Sequence, residues 1–242
     1  MIVRALRAHA RGVTGDIVLL WVVAAAFVLS TSMATSVPAE LAEAPAGVRA
    51  ALSAPFSAVL ATYGAVLAAV YGSFRYTVDR RDGVVAQRLM LQPRWVTLLS
   101  RTLGSALGGA VVALAGLAGG HIALAVAMGG VPVGWASVGS ALAIGAGAGL
   151  WGLGVGIVVQ NHLVALFVAS MSLGSAVLVA MFWSAAAHGF PLIALLDAFG
   201  FDVTAVGVSP ADGSGGSVPV AAGWMLAALV AGGVTFVKRD VT

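Results

Sequence analysis

The chain has 242 residues and a mass of 24.0 kDa; 60% of its residues are hydrophobic and only 9% charged. A soluble domain carries roughly 25% charged residues, so a water-soluble body of this size is excluded and most of the surface must face lipid. The absence of cysteine rules out a disulfide framework and thiolate metal sites, and a net charge of +3 on so few ionic groups is no nucleic-acid signal.

In chain order, residues 1–15 read first as a short amphipathic helix lying in the membrane surface. Arg4, Arg7 and Arg11 fall on one stripe, with Ile2, Leu6 and Val13 opposite. The plainer alternative is a basic flank that only sets topology. A hydrocarbon core of roughly 30 Å needs about 20 apolar residues per helical crossing. Charge-free runs from Ile17 to Ala39, Ala50 to Phe74 and Gly213 to Val237 each supply one. Residues 102–196 contain no acid, lysine or arginine, enough for three more crossings of about 20 to 25 residues each. The breaks in that long run fall at Met128-Gly129-Gly130-Val131-Pro132 and at Gln160-Asn161-His162. Six spans are expected, near 17–37, 55–74, 102–127, 135–159, 163–185 and 219–237. The first is too long for the roughly 7 to 15 residues of a signal-peptide core and reads as a span.

Orientation follows from lysine and arginine in the short loops. With the N terminus in the cytoplasm, Arg4, Arg7, Arg11, Arg75, Arg80, Arg81, Arg88, Arg94, Arg101, Lys238 and Arg239 all fall inside, and Arg49 alone falls outside. Glu40, Glu43, Asp197, Asp202 and Asp212 then face the exterior. Both termini are expected to be cytoplasmic, in a multi-pass protein of the plasma membrane. Trp95, Trp135 and Trp183 lie near the expected interfaces, and Trp151 lies deeper.

The connection from Arg75 to Arg101 is long for adjacent membrane helices, and long loops are commonly functional. Only Gly83 interrupts helix-compatible sequence from Val78 to Leu91, and Pro93 ends it. Val78, Val85 and Leu89 share a stripe that Asp82 interrupts. Mixed charge with a few apolar residues suits docking to a protein or to lipid; the alternative is an ordinary basic loop.

This loop resembles that of the membrane subunits of type 2 ABC transporters, the class that includes antibiotic and drug exporters. Their loop between the second and third spans carries acid-Arg-x-x-Gly-Thr, then a leucine pair, a proline with a nearby arginine, and a basic residue entering the third helix. Here the counterpart is Asp79-Arg80-Arg81-Asp82-Gly83-Val84, then Leu89-Met90, Pro93-Arg94 and Arg101. Val84 stands where the family usually has threonine, and Asp79 where it more often has glutamate. The motif covers about two dozen residues, and the family is also similar in its amphipathic N-terminal segment, six spans and inside termini. The resemblance implies a coupling helix at 76–95 that receives the stroke of a separate ATPase subunit. It assigns the contact to Asp79, Arg80, Arg81, Asp82, Gly83, Val84, Gln87, Arg88, Leu89, Leu91, Pro93 and Arg94. It also implies two ATPase copies, a second permease copy, identical or not, and short helices re-entering the outer leaflet within the extracellular segment 186–218, where Pro191 to Phe199 is apolar.

No phosphate-binding G-x-x-x-x-G-K-[ST] loop occurs, and the only lysine is Lys238. No cofactor is therefore expected in this chain; ATP and Mg would sit on the partner. An intramembrane enzyme would need ionisable groups converging at depth, and the expected spans hold no Asp, Glu, Lys or Arg. The four histidines do not suggest one site: His9 is N-terminal, His162 lies at an inner turn, and only His121 and His188 could approach a metal pair. No charged ring or carbonyl filter of a channel is visible. A ligand-binding subunit of an energy-coupling importer is a further alternative, but Tyr63, Tyr71, serine and threonine are nearly all the polar groups of the first five spans. The fourth span carries Gly145, Gly147, Gly149, Gly152, Gly154 and Gly156, expected to permit close helix packing within the subunit, with a bending element as the sharper alternative. The expected protein is an all-α membrane permease that exports a lipophilic or amphipathic substrate.

Overall fold

The computed structural model describes residues 16–34, 43, 45–128, 135–209 and 216–238; the expected amphipathic segment 1–15 lies outside them. The described residues are all-helical, with no strand. Six main helices are α1 (Ile17–Ala34), α2 (Ala46–Arg81), α4 (Arg94–Met128), α5 (Trp135–Val159), α6 (His162–Phe182) and α9 (Ser217–Lys238). Between α2 and α4 lies the short α3 (Val84–Leu91); between α6 and α9 lie α7 (Ser184–Ala187), α8 (Pro191–Ala198) and a 3-10 turn at Val203–Val206. Five helices, α2, α4, α5, α6 and α9, are long and apolar enough to cross a membrane, which fits a multi-pass membrane protein. α1 is apolar but only 18 residues long, about 27 Å at 1.5 Å per residue.

Two expected boundaries are corrected. α2 does not stop at Phe74 but runs on to Arg81, and α4 begins at Arg94 instead of residue 102. At 36 and 35 residues they reach about 50 Å, well past a hydrocarbon core of roughly 30 Å. Charge reads as a stop signal in the sequence, yet Arg75, Asp79 and Arg101 in these extensions bond to one another inside the bundle, so the helices have no reason to end at them.

The core forms where α5 lies between α2 and α4, and its glycines allow this. A Cβ on Gly152 would stand inside contact distance of the Ala69 carbonyl of α2, and one on Gly149 would meet the Ser105 carbonyl of α4 in the same way. On a third face, a Cβ on Gly154 would lie 2.7 Å from the Ala228 carbonyl of α9. Small residues let helix backbones touch, so dispersion contacts hold the helices where lipid supplies no hydrophobic drive. The expected packing role of the glycine-rich span is what the geometry displays. α1 lies along α4, where a Cβ on Gly119 would come within 2.6 Å of the Phe27 carbonyl.

The polar triplet between α5 and α6 is a helix stop followed by a helix start. Gln160 takes a left-handed φ of 64° directly after Val159. Asn161 then caps α6, its side-chain oxygen accepting from Leu163 N at 3.1 Å and Val164 N at 3.3 Å. Asn161→Ala is expected to lower stability by about 1 kcal/mol, read as a small drop in melting temperature in detergent with helix content unchanged.

At the far end of the bundle, α8 starts with Pro191 at its first turn, and every residue from Pro191 to Leu196 is buried. α8 packs against α9 and α6, which explains the apolar run seen in the sequence. The Trp224 indole donates to the Gly189 carbonyl at 2.7 Å, pinning this segment to α9.

Candidate functional site at the basic end of the bundle

The start of α1, the end of α2, the start of α4 and the end of α9 meet at one end of the bundle. Asp16 bonds Arg75, Asp79 bonds Arg101, and Arg94 Nη1 donates to the Val237 carbonyl at 2.6 Å. Of the described arginines and lysine, Arg75, Arg80, Arg81, Arg88, Arg94, Arg101 and Lys238 belong to this end or to α3, and Arg49, near the start of α2, does not. Asp197 and Asp202 lie in the short segments of the opposite end.

The centre of this end is an alternating chain of charges. Asp16 precedes α1 and caps it: Oδ1 accepts from Val18 N at 3.1 Å and Leu19 N at 3.2 Å. Its Oδ2 accepts from Arg75 Nε at 2.7 Å and from the Tyr71 hydroxyl at 3.3 Å. Tyr71, Arg75 and Asp79 recur every four residues and so share one face of α2. Arg75 Nη1 donates to Asp79 Oδ1 one turn on. Asp79 Oδ2 pairs with Arg101 Nη1 of α4 at 2.9 Å. Two carboxylates and two guanidiniums thus tie α1 to α2 and α2 to α4. Arg101 also lies over the Tyr76 ring, 5.5 Å from its centroid. The side chains of Asp16 and Arg101 are each 4% exposed and that of Asp79 8%. Such groups stay charged away from water only when paired and hydrogen-bonded.

The network lies just outside the expected spans 55–74 and 102–127, in the parts of the helices that continue them: Arg75 and Asp79 belong to α2 and Arg101 to α4. Asp16, Tyr71, Arg75 and Arg101 were not expected as site residues. The available signal was the i, i+4, i+8 spacing of Tyr71, Arg75 and Asp79, which places an aromatic hydroxyl, a base and an acid on one helical stripe.

The expected coupling segment 76–95 divides into three parts. Residues 76–81 are the last turns of α2 and 94–95 the first residues of α4, so only 82–93 connect them. Gly83, the one residue that interrupts helix-compatible sequence from Val78 to Leu91, does divide it: its φ of 73° is left-handed, and α3 starts directly after it. α3 turns Val85, fully buried, onto Tyr76, Leu153, Ile157 and Phe236, with Leu89 packed at the edge. Its end turns outward, leaving Met90 84% and Leu91 86% exposed beside the exposed Trp95.

The expected contact residues differ in exposure. Arg81, Asp82, Gln87, Leu91 and Pro93 are exposed, and Arg80, Gly83, Val84, Arg88, Leu89 and Arg94 are partly buried. The Asp79 carboxylate is turned into the bundle and held between Arg75 and Arg101. Met90 was not expected at the surface of the segment.

The histidines stay apart. His188 Nε2 lies 2.9 Å from the Ser209 carbonyl, His162 packs edge-on to Phe74 at 6.4 Å, and both His121 ring nitrogens are buried without a partner among the described residues. Among those residues no group of three or more metal-ligating side chains occurs. No protein-family model, no curated protein and no solved structure matches the chain.

Proposed function

We propose that the chain is the permease subunit of an ATP-driven exporter of the type 2 ABC class, seated in the plasma membrane with its basic end in the cytoplasm. The observation that carries the reading is α3. It is a separate eight-residue helix, set off by a left-handed glycine and a proline, anchored inward by Val85 and presenting Met90 and Leu91 outward. A helix built this way suits the transfer of motion from a soluble partner: the exposed end receives the push and the buried face passes it on. Val85 bears on Tyr76, Tyr76 on Arg101, and Arg101 on Asp79, so a displacement of α3 reaches α2 and α4 together. Positive-inside orientation supports the placement of this end. On this reading ATP and Mg act on a partner subunit, two permease copies form the path, α1 supplies the sixth span, and the apolar spans fit a lipophilic or amphipathic cargo. The short α7 and the buried α8 fit the outer re-entrant element.

The test is a mild-detergent pull-down of the tagged chain from its host, with bound proteins identified by mass spectrometry. A soluble ATPase with a phosphate-binding loop in equal stoichiometry is the expected result; the chain alone, even after cross-linking, would remove the proposal. In the recovered complex, Arg80→Glu with Arg81→Glu, or Leu91→Ser with Met90→Ser, is expected to reduce stimulation of the ATPase at least tenfold while the permease stays folded. Unchanged stimulation would move the docking surface elsewhere. A second reading, a stand-alone membrane protein, draws on the Asp16, Arg75, Asp79 and Arg101 network, because ionisable groups inside spans commonly mark functional sites. Recovery of the chain alone would favour it.

A further inference from the structure

Arg101 is only half used. Its side chain is 4% exposed and its Nη1 pairs with Asp79, but its Nε and Nη2 are buried and find no acceptor among the described residues. Those two N–H groups lie along one edge of the planar guanidinium as parallel donors. That fork matches two oxygens of a phosphate or carboxylate.

Every carboxylate oxygen of the network already faces another donor. Asp16 gives Oδ1 to the start of α1 and Oδ2 to Arg75 and Tyr71; Asp79 gives Oδ1 to Arg75 and Oδ2 to Arg101. The residues around Arg101 also line a cavity of about 20 Å³. One water-sized group needs roughly 10–15 Å³, so the space admits the oxygens of a ligand and not a whole large molecule. The lining also brings Arg75 and Arg88 beside Arg101, with Asp16 and Asp79.

We infer that the free edge of Arg101 binds a phosphate-class oxyanion at the basic end of the bundle. A phosphodiester suits the site well: it presents two non-bridging oxygens to the fork and an anionic charge to the guanidinium. The same chemistry is offered by a phospholipid headgroup and by free inorganic phosphate. The inference rests on the bundle alone and holds whether or not a partner ATPase exists.

The test uses the full chain in detergent, stripped of lipid by extensive exchange. It is titrated separately with dioctanoyl phosphatidylglycerol, with inorganic phosphate at fixed ionic strength, and with dioctanoylglycerol, which lacks the headgroup phosphate. Binding is read by thermal shift and by phosphorus NMR. Stabilisation by the phospholipid and not by dioctanoylglycerol is expected if the source is lipid. Stabilisation by inorganic phosphate alone assigns a free anion, and a response to both assigns the oxyanion in either form. Arg101→Lys keeps the charge and the Asp79 pairing but loses the fork, and should raise the Kd at least tenfold; Lys238→Gln, outside the lining, should leave it unchanged. No response in the wild type, or equal affinity in Arg101→Lys, would overturn the inference. Should Arg101→Lys fail to fold, the wild type decides: a bound phosphorus signal displaced by sulfate but not by chloride at equal ionic strength supports the site, and an unperturbed line refutes it.

Discussion

Asp79→Ala is expected to destabilise the bundle by about 3–5 kcal/mol, because removing one partner of a buried ion pair leaves the other charge uncompensated. Asp79 bonds both Arg75 and Arg101, yet the two arginines do not lose equally. Arg75 keeps Asp16 and is 25% exposed, so water and a second carboxylate soften its loss. Arg101, at 4% exposure, has no second carboxylate among the described residues. The larger part of the penalty should therefore sit on Arg101, and removing that charge as well should recover it. Asp79→Leu with Arg101→Met is expected to melt well above Asp79→Ala, since apolar groups of similar volume commonly replace a buried pair at little cost. Thermal unfolding in detergent with a double-mutant cycle measures the coupling. Additive effects of the two substitutions would show that the pairing carries no energy.

The second large effect is expected at the glycine seam. Gly152→Val should cost more than about 3 kcal/mol, at or beyond the upper end for overpacking, because its new Cβ would meet the Ala69 backbone and not a side chain that can rotate away. Gly72→Val should behave alike, since its Cβ would meet the Gly149 carbonyl. Gly174 and Gly223 are the controls: a Cβ at either has nothing within 4 Å, and alanine there should be neutral or gain up to about 1 kcal/mol in helix propensity. The measurement is the monodisperse fraction by size-exclusion chromatography together with the melting temperature. If Gly152→Val behaves like Gly174→Ala, the helices are not held at backbone contact.

Much of the fold is readable from residue order. Runs of apolar residues place five of the long helices, and glycine, proline and the Gln160-Asn161-His162 triplet place the breaks between α4, α5 and α6, because a long charge-free run leaves only these as punctuation. The failure came where charge was treated as a boundary. Arg75, Asp79 and Arg101 are far apart in sequence from Asp16, and whether a charged residue ends a helix or crosses into the bundle depends on a partner that local sequence does not reveal. For the same reason Asp79 read as a surface contact: its motif position resembled a docking loop, but its two arginine partners turn it inward. Gly83 was recognised as the weak point of the connection. Its left-handed φ divides the segment and sets α3 apart as a short helix of its own.

Backbone contact also has a mechanical side. Side chains that interdigitate can change rotamer and slide, but helices that touch through carbonyls and glycine α-carbons have nothing left to compress. α2, α4 and α5 should therefore move as one stiff block, with the charge network as the bolt at one end. α6, whose spanning window is only 28% buried, is the stave free to swing against it. Any opening of this molecule would then take place at the edge of the block and not within it.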